Sequence, residues 1–266
     1  MRWTACILAA AALLAGAAPL AQSAPKPAGA PPAARDDDQR AAEAAFERFI
    51  STRRALLSGW RSGEPAYRGV EHAVTQAAEA RDPLIRELYR RMAEDQITRL
   101  ALGPVSGRTF AGGLSAEALN RMERMVGREM APIDRENTAW MKARLQEFDW
   151  FRVSRFGEAA DRAAWLLVQH ADEDRALQKL VLGRLEPLVA LKETSPANYA
   201  YLYDRVAGGE NRPQRYGTQG RCVGPGRWEP KEVEAPEGLE ERRKAVGLGT
   251  MAEYKGRFED ICRQAD

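Results

Sequence analysis

The sequence predicts an all-α protein, a single helical bundle-like domain with irregular C-terminal loops. Three observations predict it. Val-, Ile- and Thr-rich alternation, the mark of half-buried strands, is nearly absent. Apolar residues recur instead with a period of about 3.6 over several long stretches. These stretches are bounded by helix start signals at Asp82-Pro83, Ser115 and Ser195-Pro196, and by stop signals at Gly103-Pro104 and Gly208-Gly209.

Taken in order, Asp36-Asp37-Asp38 suits the cap and dipole of a helix over about 39–58. A second helical stretch covers 65–80, and a third starts at Pro83 and runs to about Leu102. A Gly-rich link (Gly107, Gly112, Gly113) leads to Ser115, which caps a pattern through about Met130, and 134–148 forms a further helix. The strongest pattern is 158–185. From Ala163 to Val168 it is apolar all round, which marks the centre of the bundle. A helix then starts at Ser195-Pro196 and stops at Gly208-Gly209, and two short helices follow over 237–246 and 250–262.

The N-terminus has its own logic. Arg2, the apolar run 7–18 and the small residues up to Ser23 match a secretion signal, cleaved after Ser23. The run is shorter than the roughly 20 apolar residues of a membrane span, so no span is expected in the mature chain. Cys6 lies on the wrong side of the run for lipid attachment. Residues 24–35, rich in Ala and Pro, read as a disordered tether, and 36–266 as the folded domain of about 230 residues. The expected location is the periplasm or the exterior. With 40 basic and 38 acidic residues the net charge is +2, so nothing points to nucleic acid as a partner, and no other partner is indicated. Cys222 and Cys262 remain after cleavage; in an oxidising compartment such a pair reads as a disulfide.

Several polar residues fall on helix faces that should be buried. On a continuous 158–185 helix, the apolar face is marked by Ala160, Ala164, Leu167, Ala171, Val181 and Leu185. Asp174 and Gln178 fall within it and His170 on its shoulder, spaced i, i+4, i+8, so His170 is expected to meet Asp174 one turn away. A buried carboxylate without a partner costs several kcal/mol, roughly, and His170 is the nearest candidate. On the helix from Pro83, Gln96 sits mid-face with Asp95 and Arg99 beside it, an inward-pointing group that could pair with the Asp174 stripe. Asp204 opposes the dipole in the last turn of its helix, and Arg205 or a group from elsewhere should compensate. The adjoining loop, Gln214-Arg215-Tyr216-Gly217-Thr218-Gln219, carries hydrogen-bonding groups and an aromatic, as binding loops do. The same stripe reads, without chemistry, as a buried network that fixes helix register. His72 has no comparable partner nearby and reads as a surface residue.

The segments 165–174 with Gln178, 200–206 and 214–219 resemble a bacterial family of unknown function, DUF6624, as do Asp95-Gln96-x-x-Arg99, Asp134-x-x-Asn137, Phe156-Gly157 and Arg242-to-Leu248 with Tyr254. The resemblance spans about 84–254 and implies no activity. Asp149-Trp150 stands where the family pattern prefers Gly-Trp.

Two functional expectations follow. In the first, the protein is a cell-envelope hydrolase or transferase. His170 is its general acid/base, oriented by Asp174 and joined by Asp204; Asp95, Gln96, Arg99, Gln178, Arg205, Gln214, Tyr216, Thr218 and Gln219 surround the substrate. No P-loop, dinucleotide fingerprint, Gly-x-Ser-x-Gly elbow or His-Glu-x-x-His helix occurs, so no cofactor is expected and water is the expected nucleophile. A metal held by His170, Asp172, Asp174 and Asp204 lacks diagnostic spacing and is not expected. In the second, the protein is a non-catalytic module binding a peptide, glycan or protein through Tyr199, Tyr201, Tyr203, Tyr216 and Trp228. Of the three tyrosines on the 195–208 helix, Tyr201 is the one expected at the surface.

Overall fold

The computed structural model describes residues 32–61, 80–101 and 114–263. The signal segment, most of the tether, the helix expected over 65–80 apart from Ala80, His72 and the glycine-rich link lie outside the described residues. The described chain is mostly helical, with one small two-stranded sheet. No helix among the described residues is long and apolar enough to cross a membrane.

Helix α1 (Pro32–Arg61) starts four residues inside the expected tether. Helix α2 (Pro83–Leu100) starts where Asp82 accepts the Leu84 amide at 2.8 Å, with proline at its first position. Helix α3 (Ala116–Glu147) begins at the Ser115 cap and runs unbroken through Pro132, where two helices were expected. A proline in a helix interior costs about 3 kcal/mol. The cost is offset by packing on both sides of it. Met122, Val126 and Met130 bury against Phe49, Ala93 and Ile97, while Met141 and Leu145 belong to the main core.

After a single turn, α4 (Val153–Phe156), Gly157 adopts φ 85°, a conformation that favours glycine, and opens α5 (Glu158–Gln169). Residues Ala163 to Val168 are all buried, so α5 is the central helix that the sequence pattern indicates. It ends earlier than expected. The continuous 158–185 helix is in fact two, because the chain turns through residues 170–174 before α6 (Arg175–Ala190). Asp174 caps α6, accepting the Leu177 amide at 2.9 Å. The Gln178 amide reaches back to the Val168 and Gln169 carbonyls, both at 3.3 Å, at the end of α5, where Val168 also accepts the Ala171 amide at 3.1 Å. Competition from a capping carboxylate is the physical reason the helix breaks here. With the break, the His170, Asp174, Gln178 stripe disappears.

Helix α7 (Pro196–Gly209) packs on α5 and α6. The chain beyond it is more regular than the expected loops. Strands β1 (Gly220–Gly224) and β2 (Arg227–Pro230) form an antiparallel hairpin turning at Gly226, followed by α8 (Leu239–Ala245), α9 (Met251–Gly256) and α10 (Glu259–Arg263). Trp228 stacks on Phe258 with ring centres 4.7 Å apart and meets Tyr254 edge-on. Cys222 and Cys262 form a disulfide that ties β1 to α10, closing a loop between residues 40 positions apart. A loop of that length contributes roughly 2–4 kcal/mol through the unfolded state. Cys222→Ser with Cys262→Ser is therefore expected to lower denaturant-measured stability by that amount and to leave the helical circular dichroism intact.

Candidate functional site

The helix ends and the turn between α5 and α6 bring four ionisable groups together. Asp95 and Arg99 lie one turn apart on α2, Asp134 comes from α3, and His170 follows the last residue of α5. Arg99, 5% exposed, is the hub. Its Nε donates to Asp95 Oδ1 at 3.1 Å and lies 2.9 Å from His170 Nδ1, while its Nη2 donates to Asp134 Oδ1 at 2.6 Å. His170 Nδ1 lies 2.8 Å from Asp95 Oδ2, which also accepts from the Gln96 amide at 2.7 Å. Asp95 and His170 are both buried.

Burial alone would raise Asp95, yet Arg99, His170 and the Gln96 amide outweigh it and hold the carboxyl well below the usual range. Burial pushes His170 down, and the Arg99 cation pushes it further, against the opposing pull of Asp95. His170 is therefore neutral beside an ionised carboxylate. Nδ1 faces both the Asp95 carboxylate, an acceptor, and the Arg99 Nε–H, a donor, and the ring tautomer sets which of the two it bonds. Nε2 is buried and has no hydrogen-bond partner.

Asp134 behaves differently. Burial raises it to about 6 despite the Arg99 contact, and the neighbouring charge of Asp95 adds to the rise. One guanidinium shared by two carboxylates does not offset the burial of Asp134, which is left close to its titration point. Asp134 and His170 share the wall of a cavity of about 520 Å³ between α3 and the 170–174 turn. Asp172, Asp174, Thr138 and Lys142 also line it.

The other expected site residues take different places. Asp174 does not touch His170; it caps α6 and pairs with Lys142 Nζ at 2.7 Å, so the expected His170–Asp174 pair is replaced by His170–Asp95. Nor does Asp174 pair with Arg99, whose partners are Asp95, Asp134 and His170. Arg99 is thus a positioning group rather than a free anchor for an anion. Gln178 closes the α5–α6 turn, and its amide also donates to Asp172 at 3.2 Å. Asp204 takes its compensation from elsewhere, the second of the expected alternatives. Arg205 forms an ion pair with Asp172, Nε to Oδ1 at 2.9 Å, and holds the Gln219 side chain at 3.3 Å.

Asp204 is buried completely, and its carboxylate accepts the backbone amides of Arg215 and Tyr216 on one oxygen and of Thr218 on the other, at 2.8–3.0 Å. It is a brace for the 214–219 loop and is not placed for catalysis. Burial pushes it up against the opposing pull of those three amides. The loop is locked from the other side as well. Arg243 donates to the Tyr216 carbonyl at 2.6 Å, Tyr254 to the Thr218 carbonyl at 3.0 Å, and Gln214 bonds the Gln219 backbone in both directions. Gln214, Tyr216 and Thr218 are buried, so this segment is structural and not an open binding loop. Tyr201 is also buried, whereas Tyr199 and Tyr203 are half-exposed, the reverse of the expected order. Tyr201 packs against Trp165 of the central helix and Tyr254 of α9, which is why its side of α7 is covered.

Two site groups escape a helical-wheel reading. Asp134 is marked in the sequence only by the Asp134-x-x-Asn137 motif, and Asp95 is not recognisable as the partner of His170, 75 positions away. Among the described residues no three or more His, Cys, Asp or Glu side chains are grouped to hold a metal.

The fold and the site define a helical domain in which a buried Asp–His–Arg cluster opens onto a cavity. The chain belongs to the DUF6624 family, a family of unknown function, whose model matches residues 116–263. That span contains Asp134 and His170, while Asp95 and Arg99 lie upstream of it. No curated protein and no solved structure matches the chain.

Two outcomes follow. Asp204→Ala strands three buried amides and is expected to cost roughly 3 kcal/mol or more, with hydrogen exchange accelerating first at Arg215, Tyr216 and Thr218. His170, observed by NMR, is expected to remain neutral as pH falls through its ordinary value of about 6.5. Because its folded value is depressed, the stability it contributes is present above about 6.5 and declines as pH falls below it. Asp95→Asn removes the carboxylate that favours its protonation and should lower its titration further.

Proposed function

We propose that this protein is an exported hydrolase or transferase of the cell envelope, acting in the periplasm or outside the cell, with His170 as general base. The observation that carries the reading is the buried imidazole of His170, in contact through Nδ1 with Asp95 and without a hydrogen-bond partner at Nε2, in a residue that lines a 520 Å³ cavity. Orienting one imidazole nitrogen with a carboxylate and leaving the other free to take a proton is the arrangement of a general base. Asp134, close to its titration point at about 6, supplies the second proton-transfer group in the same cavity. Water gives its proton to His170 Nε2 and attacks the substrate, while protonated Asp134 donates to the leaving group. Arg99 holds both in register and is not consumed.

The disulfide and the lack of a membrane-crossing helix among the described residues are compatible with an extracytoplasmic location. The alternative of a non-catalytic binding module loses support, because the loop and aromatics it needs are largely packed into the core.

The test is a screen of chromogenic esters, amides, phosphoesters and glycosides and of cell-wall fragments, run with wild type and His170→Asn. Turnover is expected to fall by about 10²–10⁴ in the variant. Its kcat/KM profile should decline on the basic side near pH 6, as Asp134 ionises, and Asp134→Asn should abolish that limb. Turnover unchanged in His170→Asn overturns the reading.

A further inference from the structure

A second cavity, of about 410 Å³, lies at the other end of α5, between its first turns, the end of α6 and the start of α7. It does not include His170. Its shape is held by Asp161, whose carboxylate accepts from the Trp150 indole and Thr194 hydroxyl at 2.6 Å, the Asn198 amide at 2.9 Å and the Ser195 backbone amide at 3.0 Å. Four donors satisfy Asp161, so its charge is committed to pinning α7 on α5.

The cavity wall contains donors that lack such partners. Arg162 is half-buried, and among the described residues it makes no hydrogen bond and no ion pair, although Glu158 lies one turn away on the same helix. Trp165 is 3% exposed and its indole Nε1 is buried without an acceptor. Buried indole N–H groups ordinarily find one. Ser195 makes no side-chain capping bond to α7, so the amides of Ala197 and Asn198 in the first turn have no intrahelical acceptor. Lys192, exposed at the rim, adds a second cation, and Glu158, also exposed, is the carboxylate at the opening. Val189, Pro196 and the Tyr201 ring supply apolar wall.

We propose that this cavity binds a small organic carboxylate. Its carboxylate group lies against Arg162, the Trp165 N–H and the amides at the start of α7, and its apolar part against Val189, Pro196 and Tyr201. A planar carboxylate matches the guanidinium fork, and a helix start favours an anion. The volume falls in the range of small-ligand sites. The site is independent of the proposed catalysis at His170.

Benzoate is the probe, with benzamide as its uncharged counterpart, titrated against the mature protein while the indole N–H of Trp165 is followed by NMR and assigned with Trp165→Phe. A saturable shift with benzoate and none with benzamide is expected, weakened about tenfold or more in Arg162→Gln and less in exposed Lys192→Gln. The shift should persist in His170→Asn. If Arg162→Gln does not fold, Lys192→Gln decides. No saturable shift into the millimolar range, an equal response to benzamide, or benzoate affinity unchanged in the folded variants overturns the site and leaves the cavity as a water pocket.

Discussion

One buried cation organises the meeting of three helices in this molecule. Among the described residues Arg99 touches Asp95, Asp134 and His170 at once, and these come from α2, α3 and the end of α5. Removing a partner from a buried ionic cluster typically costs 3–5 kcal/mol, roughly, because the remaining charge has neither water nor a counter-ion. The cluster therefore fixes how three helices meet. It also divides protons unequally among them: Asp95 is held ionised, His170 neutral, and Asp134 near its titration point. The clamp that joins the helices is thus also the set of groups whose protonation burial and charge perturb most.

Elsewhere, buried carboxylates serve as anchors for backbone. Asp161 holds the start of α7, and Asp204 gathers the 214–219 loop near its end. Each satisfies amide donors that the local chain geometry leaves open, which is the requirement on any buried backbone group. Both sit on or beside the central helices, and each occupies the core with its oxygens committed to donors. The distinction between the roles lies in the lone pairs. Asp161 and Asp204 are saturated, whereas His170 Nε2 is not.

The helical class, most helix ends and the cysteine pair were legible because each rests on local signals. Asp82-Pro83, Ser115 and Ser195-Pro196 mark their helix starts correctly, and the apolar girth of Ala163 to Val168 identifies the central helix. The His170–Asp174 pair was misread because a helical wheel assumes a continuous helix, and Asp174 ends that continuity by capping the next one. The break expected between 130 and 134 fails in the opposite direction, since packing on both sides carries α3 through Pro132. The Tyr216 loop carries the composition of a binding element, but Arg243 and Tyr254, far along the chain, close it off.

By itself the sequence determined most of the residues that are polar in places that should be buried: Asp95, Gln96, Arg99, His170 and Gln178 lie in the interior, whereas Asp174, placed on the same face, does not. Periodicity alone reveals this, because burial of a helix face follows from its apolar content. Only the tertiary structure decided which of them meet. Pairing across 75 positions depends on how helices dock, and docking is set by the summed packing of many side chains, which no local window of sequence contains.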